Sequence, residues 1–337
     1  MFATLTLVAC ATSSRPVGPA PAPSAAPIPS ASALRSAAPV ASGGLPPAEA
    51  ASAAAPEAQT KTATAVDPDA PAPVPNSLPA DMLPVPGGTF VMGADNEGEQ
   101  DERPAHAVTV APFLLDRTEV TNAAYAACVS AGACQAPDSL VGSALAYGQP
   151  RAFHEPEKPA VGVSWFDAQA YCRFRGKRLP REAEWERAAR GGDGRRYVWG
   201  NEAPDPKRHG VFGGRQCTER VGSYPDGRGP YGHLDLAGNA WEWVVDLYDP
   251  YAYRRASAGR GEPGSCEEIL ETLAELRRQH KQGFTGKNPI PSECERVLRG
   301  AAYNYGVSGV RASNRVHHPA SFRIAVAGFR CAADAPQ

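Results

Sequence analysis

All five tryptophans and all eleven tyrosines of this 337-residue chain lie at or beyond Tyr125, and of its ten phenylalanines only Phe2 precedes Phe90. Aromatic and large aliphatic side chains supply most of the burial that stabilises a core, so a stretch without them cannot fold alone. Residues 11–79 are mainly Ala, Pro and Ser with scattered charges, and such a composition gains too little from burial to offset its chain entropy. They are read as a disordered tether, kept extended by prolines as in Pro16-Val-Gly-Pro-Ala-Pro-Ala-Pro-Ser24. Residues 80–337 then make one large domain.

Residues 1–10, Met1-Phe-Ala-Thr-Leu-Thr-Leu-Val-Ala-Cys10, are a short apolar run that stops at a cysteine. Leu7-Val8-Ala9-Cys10 looks like a bacterial lipobox, in which cleavage before Cys10 leaves its thiol to carry a lipid; the run is a signal-peptide remnant and not a span. No basic residue precedes it, so the reading frame is expected to begin upstream of Met1. An exported lipoprotein of the cell envelope, outer membrane or surface is the expectation, meeting the membrane through its lipid alone, since no later segment approaches 18 consecutive apolar residues. The net charge of -2, with no basic stripe, argues against a nucleic-acid partner.

Within the domain, Leu83 to Gly93 and Ala107 to Leu115 read as strands. Thr121 is a cap for a helix from Asn122 towards Ser130. Ser164-Trp-Phe-Asp167 is a capping box for a second helix, with Phe166, Ala170 and Phe174 as its shared face and Gly176 as its stop. A third runs from about Arg178 to Gly192. A fourth, at about 265–283, opens on the capping box Ser265-Cys-Glu-Glu268 and carries Ile269, Leu270, Leu273 and Leu276 at helical spacing. Glu184 and Glu186, two apart on one helix, point to different faces and do not make an acid–base pair. Trp185, Trp241 and Trp243 are read as core anchors. The histidines include no His-Glu-x-x-His string, and His317-His318 are adjacent, so zinc or iron is not expected.

Eight strings occur in order: Pro86-Gly-Gly-Thr-Phe-Val-Met-Gly93, Glu102-Arg-Pro-Ala-His106, Glu119-Val-Thr-Asn122, Val161 to Asp167, Gly176-Lys-Arg-Leu-Pro-Arg-Glu-Ala-Glu-Trp-Glu186, Gly238-Asn-Ala-Trp-Glu-Trp243, Arg299-Gly300 and Gly328-Phe-Arg-Cys-Ala-Ala333. Together they resemble the formylglycine-generating enzyme (sulfatase-modifying factor) family. The resemblance implies an α+β, loop-rich fold related to C-type lectins, with low regular secondary structure. It also implies calcium at Asp235 and Glu242, through their carboxylates, and at Gly238 and Ala240, through their carbonyls; the intervening Gly238 suits a backbone turned around a hard cation. The family's other calcium site does not carry over, because Gly210 to Arg215 has no Asp or Asn.

Setting Cys10 aside leaves seven cysteines, whose connectivity the sequence does not settle. Cys172 and Cys331 stand at positions that pair in the family. Cys128 with Cys134 is a candidate local staple, Cys266 with Cys294 would pin the fourth helix, and Cys217 is left over.

In the family, copper is held by two cysteines in the stretch after Arg299-Gly300. Here the corresponding residues are Tyr305 and Val310, with Ala302 and Gly306 at the neighbouring serine and histidine positions, so no copper is expected. The leading reading is a non-catalytic binding or structural module with a protein, peptide or glycan ligand. The alternative is a tailoring enzyme, oxidoreductase-type or other, with altered chemistry. Tyr303, Asn304, Tyr305, Arg311 and Arg315 are the candidate ligand surface.

When the gene is expressed with its upstream start, labelled palmitate is expected to enter the protein and to be lost in Cys10→Ala. Label that survives the substitution removes the anchor.

Overall fold

The computed structural model describes residues 81–137, 153–255, 259, 265–285 and 288–336; Cys10 and residues 11–79, read above as a tether, lie outside them. The first alternating run gives β1 (Met82–Val85) and β2 (Gly88–Met92). The run read as one strand from Ala107 to Leu115 is two, β3 (His106–Val110) and β4 (Phe113–Asp116). Pro112 between them has no N–H to donate and lies so close to Gly87 that a Cβ there would meet the proline nitrogen at 2.7 Å. The ladder breaks at that point: β3 pairs with β2, while β4 pairs with β1. The last strand, β11 (Ala332–Asp334), returns to the other side of β4.

The helices begin where their caps predict. Thr121 Oγ1 accepts from the Ala124 N–H at 3.2 Å to start α1 (Asn122–Ser130), and Ser164 with Asp167 closes a capping box on α2 (Trp165–Phe174). The buried face of α2 differs from the expected one. Trp165, Ala168, Tyr171 and Cys172 face inward, while Phe166 and Phe174 are 58% and 42% exposed. Two tertiary bonds set this rotation: the Trp165 indole donates to the Val244 carbonyl at 2.8 Å, and Cys172 is bonded to Cys331.

α3 (Glu182–Arg190) is buried along its whole length. It packs beside a four-stranded sheet ordered β10 (Ala327–Gly328), β5 (Trp241–Leu247), β8 (Glu295–Arg299), β9 (Arg315–Pro319). Trp185, Trp241 and Trp243 are core anchors as expected, and the indoles of Trp185 and Trp243 donate to Glu242 Oε2 at 2.8 Å and to the Val163 carbonyl at 3.0 Å. α4 (Cys266–Gln279) buries Ile269, Leu273 and Leu276 with Ile290 against Leu247 and Tyr251; Leu270 is turned to solvent. A hairpin of β6 (Phe284–Thr285) and β7 (Asn288–Pro289) follows. The architecture is α+β and loop-rich. Among the described residues no helix is long and apolar enough to cross a membrane.

Disulfides join Cys128 to Cys134, Cys172 to Cys331 and Cys266 to Cys294. The second closes the longest loop, with a sequence separation of 159, and by the chain-entropy argument contributes about 3 to 5 kcal/mol. Cys217, read as left over, is itself disulfide-bonded and buried, so no free cysteine remains among the described residues.

Candidate functional site

The turn before β5 is held in left-handed backbone at three positions, Asp235 (φ 58°), Gly238 (φ 92°) and Asn239 (φ 63°). Gly238 has no alternative: a Cβ there would lie 2.5 Å from the Val211 carbonyl oxygen. This close approach locks the turn to its neighbours. The Gly238 N–H donates to the Gly300 carbonyl at 2.7 Å, the Asn239 N–H to Val211 at 2.8 Å, and the Asn239 carbonyl accepts from Tyr303 at 3.0 Å. The turn and the loop after β8 therefore form one unit, with Trp241 between them.

On the inner side of the turn three carboxylates share the interior. Glu242 is bound by Arg330, whose Nε and Nη2 donate to Oε2 and Oε1 at 2.7 Å each. Asp235 Oδ2 accepts from the Gly222 N–H at 2.6 Å. Glu119 accepts on Oε2 from Asn239 Nδ2 at 3.4 Å, and its buried Oε1 has no hydrogen-bond donor. One guanidinium thus answers three carboxylates. Burial, reinforced by Asp235 and Glu242, pushes the Glu119 carboxyl well above its ordinary value, and burial raises Asp235 to about 6. Neither Glu119 nor Arg330 stands out in the sequence as a neighbour of Asp235, since no periodicity connects them. Among the described residues no group of three His, Cys, Asp or Glu side chains is arranged to hold a metal ion; an ion here would draw on two carboxylates and on carbonyls.

The outer side is the loop from Arg299 to Arg311. Ala302, Tyr303 and Val310 are buried, Asn304 is partly covered, and Tyr305 to Ser308 are exposed. The Tyr305 ring stands edge-on to Trp241 at 5.1 Å, and burial of its hydroxyl end pushes the phenol above its ordinary value.

The five residues read as a ligand surface separate here. Tyr303 packs on Phe153 at 5.5 Å and is inside. Arg311 grips the fully buried Glu102, with Nη2 donating to Oε1 at 2.9 Å and Nη1 to Oε2, while Ser313 Oγ adds a third bond at 2.8 Å. Burial opposes ionisation of Glu102, but these donors outweigh it and hold the carboxyl below its usual range. Arg315 is fully buried: Nε and Nη2 donate to Glu182 at 2.8 Å each, and Nη1 to the carbonyls of Asp101 and Asp249. A surface here consists of Asn304, Tyr305 and the exposed Val307. α4 does not cover it, because that helix packs at Leu247, the opposite end of β5 from Trp241.

Residues 68–335 match the family model described as the sulfatase-modifying factor enzyme 1-like domain. The chain is similar to the formylglycine-generating enzyme of Streptomyces coelicolor, at 40% identity over 50% of this chain and 69% of that protein. It is similar to the inactive C-alpha-formylglycine-generating enzyme 2 of Mus musculus, at 34% identity over 50% and 70%. Among solved structures it resembles PvdO from Pseudomonas aeruginosa, with a TM-score of 0.56 and 27% identity over 75% of this chain and 94% of that one.

The two kinds of loop residue are expected to respond differently to substitution. Arg311→Met leaves Glu102 buried without its partner and should cost about 3 to 5 kcal/mol. Tyr305→Ala loses one aromatic edge contact and should cost about 1 kcal/mol. Urea unfolding measures both; equal losses would make Tyr305 part of the core.

Proposed function

The chain belongs to the sulfatase-modifying factor enzyme 1-like family, and from that premise we propose that it is an exported, non-catalytic member that serves as a binding or structural module. The observation that carries this reading is the composition of the loop after β8: Arg299 to Arg311 contains no cysteine. Formylglycine formation of the kind the resemblance implies needs a soft thiolate pair for copper. Tyr305 and Val310 supply none, and the described cysteines are all closed in disulfides. The loop's arginine is committed to Glu102 and its first tyrosine to the core, which leaves the partly exposed Asn304, Tyr305 and Val307 for contact with a protein, peptide or glycan. The inactive relative in mouse is consistent with a family scaffold serving without that activity.

Calcium at Asp235 and Glu242, with carbonyls of Gly238 and Ala240, belongs to the same proposal. The residues suit it: buried negative charge exceeds the single guanidinium, and Glu119 Oε1 lacks a donor. The ion would supply the missing positive charge and stiffen the turn on which the loop rests.

Two measurements test these statements. Supplied with copper, oxygen and a cysteine-containing sulfatase-type peptide, the protein is expected to give no aldehyde product by mass spectrometry; copper-dependent turnover would overturn the non-catalytic reading. A chelator is expected to lower the melting temperature through loss of an ion bound only by the native state. Asp235→Asn, chosen because asparagine tolerates the left-handed backbone, loses the charge but keeps an oxygen ligand and should weaken that response. Identical melting with and without chelator removes the calcium site.

A further inference from the structure

A cleft of about 510 Å³ opens between the last turn of α2, the start of α3, the end of β3 and β11, and no residue of the loop after β8 lines it. Three guanidinium groups, Arg173, Arg178 and Arg181, share its wall with two carboxylates, Glu184 and Asp334. Both carboxylates are taken by one arginine. Arg178 donates to the two Glu184 oxygens at 2.7 and 2.8 Å and to Asp334 Oδ1 at 3.0 and 2.7 Å, and the Arg181 N–H adds a further bond to Glu184 at 2.8 Å.

Arg173 and Arg181 are exposed and have no carboxylate at ion-pair distance among the described residues. The exposed Arg175, Arg208 and Arg278 each hold one, while Arg117 and Arg228, also exposed, hold none among the described residues. Arg181 is also the N-cap residue of α3, the positive end of the helix dipole, where a cation is unfavourable. What sets Arg173 and Arg181 apart is that both line the same cleft. The floor between them is apolar, formed by buried Leu179 with half-buried Val110 and Val245.

We propose that this cleft binds a phosphate or sulfate monoester with an apolar body, its oxyanion gripped by Arg173 and Arg181 and its hydrocarbon or aromatic part resting on Leu179, Val110 and Val245. A guanidinium presents paired donors that match the oxygens of such a group, and pockets of this size commonly combine a few polar anchors with an apolar floor. The site is separate from the Asn304–Tyr305 surface, so its failure leaves that reading intact, and the reverse holds as well.

Isothermal titration of the intact protein with phenyl phosphate, phenyl sulfate and inorganic phosphate tests it. Saturable binding of a phenyl ester is expected, about tenfold tighter than inorganic phosphate because only the ester covers the floor. The tighter of the two esters identifies the head group. Arg173→Gln and Arg181→Gln should each weaken ester binding about tenfold, while Arg228→Gln, an exposed arginine outside the cleft, should leave it unchanged. If either Gln variant melts early, Arg173→Lys and Arg181→Lys keep the charge, lose the paired donors and should show the same weakening. No saturable binding, equal affinity for ester and inorganic phosphate, or equal losses in Arg228→Gln overturns the proposal.

Discussion

Carboxylates and guanidinium groups that share the interior hold this fold together. Arg299 is fully buried, yet donates to Glu182 Oε1 at 2.7 Å, to Glu186 Oε2 at 2.6 Å and to the Ala312 carbonyl at 2.6 Å. Arg315 closes on the same Glu182 from β9, and Arg330 closes on Glu242 from the C-terminal segment. Each ion taken out of water costs several kcal/mol, and losing one partner of such a pair typically costs about 3 to 5 kcal/mol. Burial opposes ionisation of Glu182, but Arg315 and Arg299 outweigh it and its carboxyl stays below the ordinary value. The pairs are therefore tolerable only as a complete set, which ties α3 to β8 and β9 and the end of the chain to β5.

Short strands and long loops leave many main-chain carbonyls without ladder partners, and buried polar groups must be bonded. The same side chains meet that need. Arg330 donates to the carbonyls of Asp116, Arg117 and Leu234 at 3.1, 3.2 and 2.9 Å, and Arg315 to those of Asp101 and Asp249. Indoles do likewise, Trp165 to Val244 and Trp243 to Val163. Low regular structure is thus compatible with a rigid interior, because arginine and tryptophan replace the missing ladder.

This arrangement sets what the loop after β8 presents at the surface. Its two ends are fastened by Arg299 and Arg311, Tyr303 is sealed inside, and the turn carrying Asp235 and Asn239 is bonded beneath it. Of that loop only the tip from Tyr305 to Ser308 is exposed. A surface held so firmly from below would lose little conformational entropy if a ligand were to bind it.

Local and compositional features were legible before any fold was known. Thr121, Ser164 and Ser265 marked three helix starts, the resemblance pointed to the Cys172–Cys331 pair, and the absence of thiols between Arg299 and Arg311 is a property of the sequence alone. Capping and periodicity act within a few residues, so they survive in the linear order. Tertiary closure decided the rest. It turned Phe166 and Phe174 outward and Tyr171 inward, split one strand-like run at Pro112, took Arg311 and Arg315 from the expected surface into the core, and brought Glu119 and Arg330 to Asp235 and Glu242. These outcomes depend on which groups lose water together, and burial and charge pairing between distant segments exist only once the chain has closed.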